Sequence, residues 1–430
     1  MNKPLTLCLA PWTHTYLSPQ TERRMCCASR EPAQNFKQYI DTADGTGKYI
    51  PITLDEHWNS EHMRSVRRRM MAGETLPECE VCNDKLLNTS VYRSYFNQLF
   101  SHKYNEAMEK TQPDGSTDMK PVSWDYRFSN LCNFKCRMCG DMLSSAWESE
   151  QRQHNMINWH DPKNNWMQPK VKKQIEQFQD TQIEAEFSQA VEEHRIEEVY
   201  WVGGEPLMYE QHWRYMQRII ELGDGPNVYA RYNTNLSRIN YKGINLYNDI
   251  LNGLRDWQIC ASIDGTGKIG EYIRTGLDYD EWLKNFRQGV KIARHRRQMR
   301  IDFTLTLPGM FEVTNIQRLA EEEKVDVLSK VIFSFSPDIV MSPLALPMNL
   351  LHPWVDEIIP TVGGALKDIL VQLKTRPTFQ EQWPDQYQSA IAKGKLRMLQ
   401  LESIRQDKFT MRDILSNRPQ VLKWWDSINE

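Results

Sequence analysis

Six strand-like stretches recur between residues 123 and 336 with helix-like stretches between them, and this alternation limits the fold more than any other feature of the chain. The strands are predicted at 123–129 (SWDYRFS), 197–202, 227–233, 256–263, 299–306 and 330–336; helices are predicted at 142–152, 208–222, 245–254, 280–297 and 314–325. Strands joined through helices pair in parallel, because a crossover must return the chain to the same end of the sheet. The expectation is an α/β fold: a parallel sheet with helices outside, either doubly wound or curled into a partial barrel. The polar stretch 150–185 reads as an insertion after the first strand. Residues 54–72 read as a helix, with Trp58, Met63, Val66 and Met70 at helical spacing. The boundaries that follow are a small amino-terminal module over 1–108, a linker over 109–121, the sheet over 122–345 and a helical extension over 346–430.

Composition excludes several functions. The 53 basic and 56 acidic side chains leave a net charge of −3, which gives no basic excess for a nucleic-acid surface. No run of about 18 apolar residues exists to span a membrane, and the start lacks the apolar core and cleavage site of a signal peptide. A cytoplasmic protein is expected. Cysteine placement says more. There are nine, an odd number, and Cys8, Cys26, Cys27, Cys79 and Cys82 lie early while Cys132, Cys136 and Cys139 crowd one loop. Clustered cysteines without secretory context read as metal ligands before disulfides. The loop, NLCNFKCRMCG at 130–140, directly follows the first predicted strand. Three thiolates so close can hold three corners of a four-iron cubane and leave one iron open; a zinc knuckle would need a fourth ligand, such as Cys260 or a histidine.

A Cys-x3-Cys-x2-Cys loop after the first strand of a β/α sheet resembles the radical S-adenosylmethionine (radical SAM) superfamily. The resemblance implies a partial (β/α)6 barrel and a [4Fe–4S] cluster on Cys132, Cys136 and Cys139, whose open iron S-adenosylmethionine chelates. Met138 stands where that family usually has an aromatic residue near the adenine. The segment Gly203-Gly204-Glu205-Pro206, ending the second predicted strand, is similar to the family turn that receives the amino group of S-adenosylmethionine. Asn235, Ser262 and Asp264 resemble contacts to the ribose and methionyl parts, and Arg274 resembles the arginine that pairs with the carboxylate; a surface ion pair is the other reading of Arg274. These positions share a polar strand face, with Tyr229, Arg231 and Asn233 beside Asn235 and with Gln258 and Cys260 before Ser262. Cys260 reads as a buried, inert thiol.

The front segment is similar to the SPASM and twitch auxiliary-cluster modules. It has the opening Cys8 with a following Pro-Trp, the Cys26-Cys27 pair, a Trp-Asn-Ser helix and a final Cys79-x2-Cys82. The resemblance implies a second [4Fe–4S] cluster on Cys8, Cys26, Cys79 and Cys82, with Cys27 spare; a zinc ribbon is the alternative for the same residues. The glycine such modules carry in this hairpin is replaced by Thr21, and the module stands before the barrel instead of after it. Arg64, Arg67, Arg68 and Arg69 read as a solvated basic helix face.

The implied function is reductive cleavage of S-adenosylmethionine to a 5′-deoxyadenosyl radical that takes hydrogen from a substrate. An electron donor such as flavodoxin or ferredoxin would serve it, and a peptide or protein is the leading substrate class. The alternatives are a nucleotide, RNA or small-metabolite substrate, and a non-catalytic binding protein stabilised by zinc or a cluster.

Overall fold

The computed structural model describes residues 6–29, 39–40, 48–83, 92–335 and 337–428. The chain forms two compact units, one comprising Met1–Leu131, Ser149–Arg231 and Asn248–Trp257, the other Cys132–Glu148, Tyr232–Tyr247 and Gln258–Glu430. This division cuts across the boundaries at 108, 121 and 345.

In the first unit β1 (His14–Leu17) pairs antiparallel with β2 (Arg23–Arg24) and parallel with β3 (Ser123–Tyr126), and β3 pairs parallel with β4 (Glu198–Trp201). The amino-terminal segment thus supplies a strand beside the first strand of the β–α series. Four residues, all buried, are too few to show a strand period, so β1 has no signature in the sequence. Helices cover these strands with an aromatic core. The Phe187 ring lies 5.5 Å from those of Trp124 and Phe128, 5.9 Å from Trp201 and 5.0 Å from Tyr215. His212 belongs to the same core, edge-on to Trp201 at 4.9 Å, and burial pushes its pKa down to about 3.

Polar contacts tie the front segment to this core. In α1 (Glu61–Met71), Arg67 falls on the face of Met63, Val66 and Met70 and is wholly buried, unlike the solvated arginine the sequence suggested. Its guanidinium donates to Pro11 O (2.9 Å), Trp58 O (2.8 Å), Asn59 Oδ1 (3.0 Å) and Gly115 O (3.3 Å). Arg64 and Arg68 do face outward, paired with Glu61. The Gly115 bond, with Trp58 Nε1 donating to Met119 O at 2.7 Å, pins much of the stretch read as a linker. Thr21 takes the backbone conformation of the missing glycine, with φ +67°. The hairpin closes through Ser18 N to Glu22 O at 2.8 Å, and the Thr21 hydroxyl lies 2.6 Å from Tyr49 Oη.

Glu198 in β4 joins four elements of the first unit. It is fully buried, and its Oε1 accepts from Tyr95 Oη (2.5 Å) on α2 (Tyr92–Leu99) and from Arg231 Nε (2.6 Å). Its Oε2 accepts from Ser123 Oγ, which lies 2.7 Å from His14 Nδ1. Arg231 stacks between the rings of Tyr95 and Tyr200, 4.2 and 4.1 Å from their centroids.

In the second unit β6 (Asp256–Ser262), β7 (Met299–Leu305) and β8 (Asp326–Val331) pair in parallel from residue 259 onward. The preceding strand, β5 (Tyr229–Thr234), and β6 each have residues in both units. The strand predicted at 330–336 begins at Asp326. Its alternating Phe333 and Phe335 lie beyond the strand, Phe335 packing 5.5 Å from Phe379 and 4.6 Å from Trp383. The carboxy-terminal part is helical, as expected, and its longest helix is α3 (Pro384–Arg405). No helix among the described residues is long and apolar enough to cross a membrane.

Burial pushes the Glu198 carboxyl up, but Arg231 and His14, with the bonds from Ser123 and Tyr95, outweigh it and hold the group below the ordinary 4.5. Glu198→Leu strands Arg231 without its partner and is expected to cost about 3–5 kcal/mol in denaturant unfolding. A depressed folded pKa stabilises above the unfolded value and is lost as pH falls through the folded one. The stability gap between wild type and Glu198→Gln should therefore be full above about pH 4.5 and narrow below it; a gap independent of pH would contradict this.

Candidate functional site

The three-cysteine loop lies in the second unit, and local bonds fix its shape. Cys139 N donates to Cys136 O (3.0 Å), Ser144 Oγ to Phe134 O (2.6 Å) and Trp147 Nε1 to Cys136 O (2.7 Å). The loop also lies along residues 273–275, with Lys135 N donating to Thr275 O and Arg137 N to Ile273 O, both at 2.8 Å. Gly276 makes this approach feasible. Its φ is +111°, and a Cβ there would come within 2.8 Å of the Phe134 ring. Cys136 is buried, while Cys132 and Cys139 are half-buried. Burial pushes the Cys136 thiol up to about 12, partly offset by Arg274, and raises Cys139 as well. A metal binding here must displace thiol protons.

Several residues singled out in the sequence meet this loop. Arg274 is buried, with Nη1 3.9 Å from Cys136 Sγ and Nε 2.7 Å from Asp264 Oδ2. The two charges form a close buried ion pair. Asp264 Oδ1 accepts from Thr304 N at 2.8 Å, and burial raises its carboxyl despite Arg274. Arg274 is thus no surface ion pair. Asn235 Nδ2 donates to Asn133 Oδ1 at 3.0 Å, inside the loop. Ser262 lies farther along, its Oγ 3.4 Å from Asp302 Oδ2. Met138 is half-buried. Cys260 is buried, 3.8 Å from Gln258 Oε1.

The Gly-Gly-Glu-Pro turn lies in the first unit. Glu205 N donates to Leu131 O at 2.7 Å, and a Cβ on Gly204 would come within 2.3 Å of that oxygen. The strand-end residues can pass so closely only with glycine at 204. Tyr209 Oη accepts from Gly204 N (2.8 Å) and donates to Ser129 O (2.7 Å). Glu205 is buried, and its Oε1 accepts from Leu207 N at 3.0 Å, capping the short turn that starts at Pro206.

The second cysteine group is brought together within the first unit. Cys8, Cys26, Cys79 and Cys82 line one small cavity, walled also by Phe96 and Arg93 from α2. Cys27 is not among its lining residues. Its neighbours are Asp125, Arg127 and Tyr92, and burial pushes its thiol up to about 11. Burial likewise pushes Cys8 up to about 12 and Cys79 to about 11, and raises Cys26. Among the described residues, no three His, Cys, Asp or Glu side chains converge on a single-ion site. Four thiols at one cavity could serve tetrahedral zinc, about 2.3 Å from each sulfur, or a four-iron cluster, in which each thiolate has its own iron.

Other residues at the loop carried no recognisable pattern. Arg137 is fully buried, bonded to Tyr272 O and to Thr275 Oγ1 (2.8 Å), stacked 3.7 Å over the Tyr272 ring and paired with Asp407. Arg405 of α3 lies 4.7 Å over the Trp147 ring and donates to Thr275 Oγ1 at 3.1 Å. The strand-face network also includes Asp302, which accepts from Lys330 at 2.9 Å and from Asn233 at 3.1 Å. The alternation of Asp302 and Thr304 in β7, continued by Thr306 just beyond it, was the available sequence signal.

No protein-family model matches the chain, and no curated protein matches it. Three solved structures of Streptococcus suis SuiB are similar to it in part. The first is 15% identical over 74% of this chain and 65% of SuiB, with a TM-score of 0.35. SuiB bound to its precursor peptide SuiA is 16% identical over 76% and 69%, at 0.33, and SuiB bound to S-adenosylmethionine is 14% identical over 74% and 65%, at 0.32. The chain therefore spans just under two thirds of the first of these relatives.

Proposed function

We propose that the chain is a radical SAM enzyme with an auxiliary iron–sulfur cluster in its amino-terminal part. The observation that carries this reading is the braced loop of Cys132, Cys136 and Cys139, with the buried Arg274 against Cys136. Three soft thiol donors and a cation suit an anionic cluster that keeps one open iron. When bound, such a cluster supplies the electron that cleaves S-adenosylmethionine and so yields the hydrogen-abstracting radical. The protein's own groups orient and shield. Arg274 offers its guanidinium to the carboxylate of S-adenosylmethionine, Asp264 holds Arg274, Asn235 and Ser262 offer amide and hydroxyl groups to the ribose side, and Met138 packs near the adenine. The backbone of Gly203, Gly204 and Pro206 shapes the turn where Glu205 meets the amino group. We read the strands as a partial (β/α)6 barrel. Cys8, Cys26, Cys79 and Cys82 hold the second cluster, a reading supported by their shared cavity. A peptide or protein is the substrate class favoured by the similarity of the front segment to SPASM and twitch modules. Flavodoxin or ferredoxin would deliver the electron, in a cytoplasm that keeps the free thiols reduced.

Anaerobically reconstituted protein should hold about eight irons with matching sulfide, two four-iron clusters, and about four after Cys136→Ala. With a strong reductant it should form 5′-deoxyadenosine from S-adenosylmethionine, and Cys136→Ala should form none. Iron-loaded wild type that forms none, alone or with polypeptide, nucleic-acid or metabolite pools, would reject the enzymatic reading. Zinc in place of iron would favour a binding protein.

Arg274→Met should raise the concentration of S-adenosylmethionine needed for half-maximal cleavage by about tenfold or more, with iron content retained. Arg274→Lys should recover part of this. An unchanged requirement in Arg274→Met would remove Arg274 from the binding site.

A further inference from the structure

Arg93 has a place in the four-cysteine cavity that its own bonds do not explain. It lies in α2 and is only 4% exposed. One nitrogen, Nη2, donates to Asn83 Oδ1 at 2.8 Å, while Nε and Nη1 meet no oxygen or nitrogen acceptor among the described residues and the guanidinium lies against the Cys79 sulfur. No carboxylate pairs with it among the described residues. Glu78, which lines the same cavity, lies 3.7 Å from Arg69 Nη1. A buried guanidinium with no counter-charge is costly in a folded protein. The groups it faces are the cysteines, with which it lines the cavity. Among the described residues the site therefore holds a permanent positive charge beside four thiols and no carboxylate paired with it.

We propose that Arg93 is the counter-ion of the auxiliary cluster, donating Nε–H and Nη1–H toward cysteine or cluster sulfur and setting the cluster's reduction potential. This rests on the reading of Cys8, Cys26, Cys79 and Cys82 as a four-iron site. A one-electron reduction adds a negative charge to an already anionic group. A fixed cation in a low-dielectric pocket stabilises the reduced form more than the oxidised one and raises the potential. Phe96 and Met25 give the same cavity apolar walls.

The test is a redox titration, with dithionite and mediators, followed by electron paramagnetic resonance. It uses full-length chain in which Cys132, Cys136 and Cys139 are all replaced by alanine, so that only the auxiliary cluster remains. Arg93→Met in this background should shift the midpoint to more negative potential by a tenfold change in the reduced-to-oxidised ratio, about 59 mV, or more. Arg93→Lys should stay nearer the parent than Arg93→Met does. Iron lost from Arg93→Met but kept in Arg93→Lys would also support the proposal, through occupancy. An unchanged or raised midpoint in Arg93→Met, a lysine variant as low as the methionine one, or iron lost from both would overturn it. Failure of the parent triple variant to bind iron would instead overturn the four-cysteine reading itself.

Discussion

A carboxylate sealed from water constrains the first unit more than any other group. Glu198 can stay ionised inside a sheet only because Arg231, Tyr95 and Ser123 approach it together, and each comes from a different part of the chain. Satisfying that one group fixes the position of α2 against the strands. Phe96, one residue after Tyr95, lies 4.6 Å from the His14 ring and also walls the cysteine cavity. The register of the sheet and the shape of the second candidate site therefore depend on the same buried charge.

The first candidate site follows a different logic. Thiols on a short loop would splay apart unless the backbone were held, and here it is held from several sides: by Ser144 and Trp147 after it, by residues 273–275 along it and by Asn235 across from Asn133. Loops placed by rigid strands carry binding groups with little freedom to relax. Arg274, held by Asp264, brings a buried positive charge to 3.9 Å from the Cys136 sulfur.

Much of this was legible in the sequence because it lies in local patterns. The strand–helix alternation placed the strands at 123, 198, 229, 256 and 299 within a few residues, and cysteine spacing separated two groups of thiols. Long-range polar pairing was not legible. Nothing near His14 announces that HTYL will lie beside SWDY, since a buried four-residue strand has no period to read. Arg67 looks like its exposed neighbours until the helix is drawn and its face coincides with Met63 and Met70. Thr21 shows that a composition rule can fail while the geometry survives: the left-handed turn forms without glycine, at a strain of about 1–2 kcal/mol, with its hydroxyl anchored to Tyr49. Phe333 and Phe335 mimicked strand alternation, yet beyond the strand's end Phe335 joins the rings of Phe379 and Trp383 while Phe333 lies under Arg376.

The pairing of Arg137 with Asp407 has a temporal side. The two residues are 270 positions apart, and Arg405 and Glu402, which bind Thr275 and Tyr272, lie in the same late segment. During synthesis the three thiols of the loop leave the ribosome long before the residues that brace them. Chains grow at about 5–20 residues per second, so the gap lasts on the order of tens of seconds. Throughout that interval the loop lacks its final support. Full bracing of this loop is therefore a late event in the life of each molecule, coupled to synthesis of the segment that carries Arg405 and Asp407 and not to emergence of the thiols.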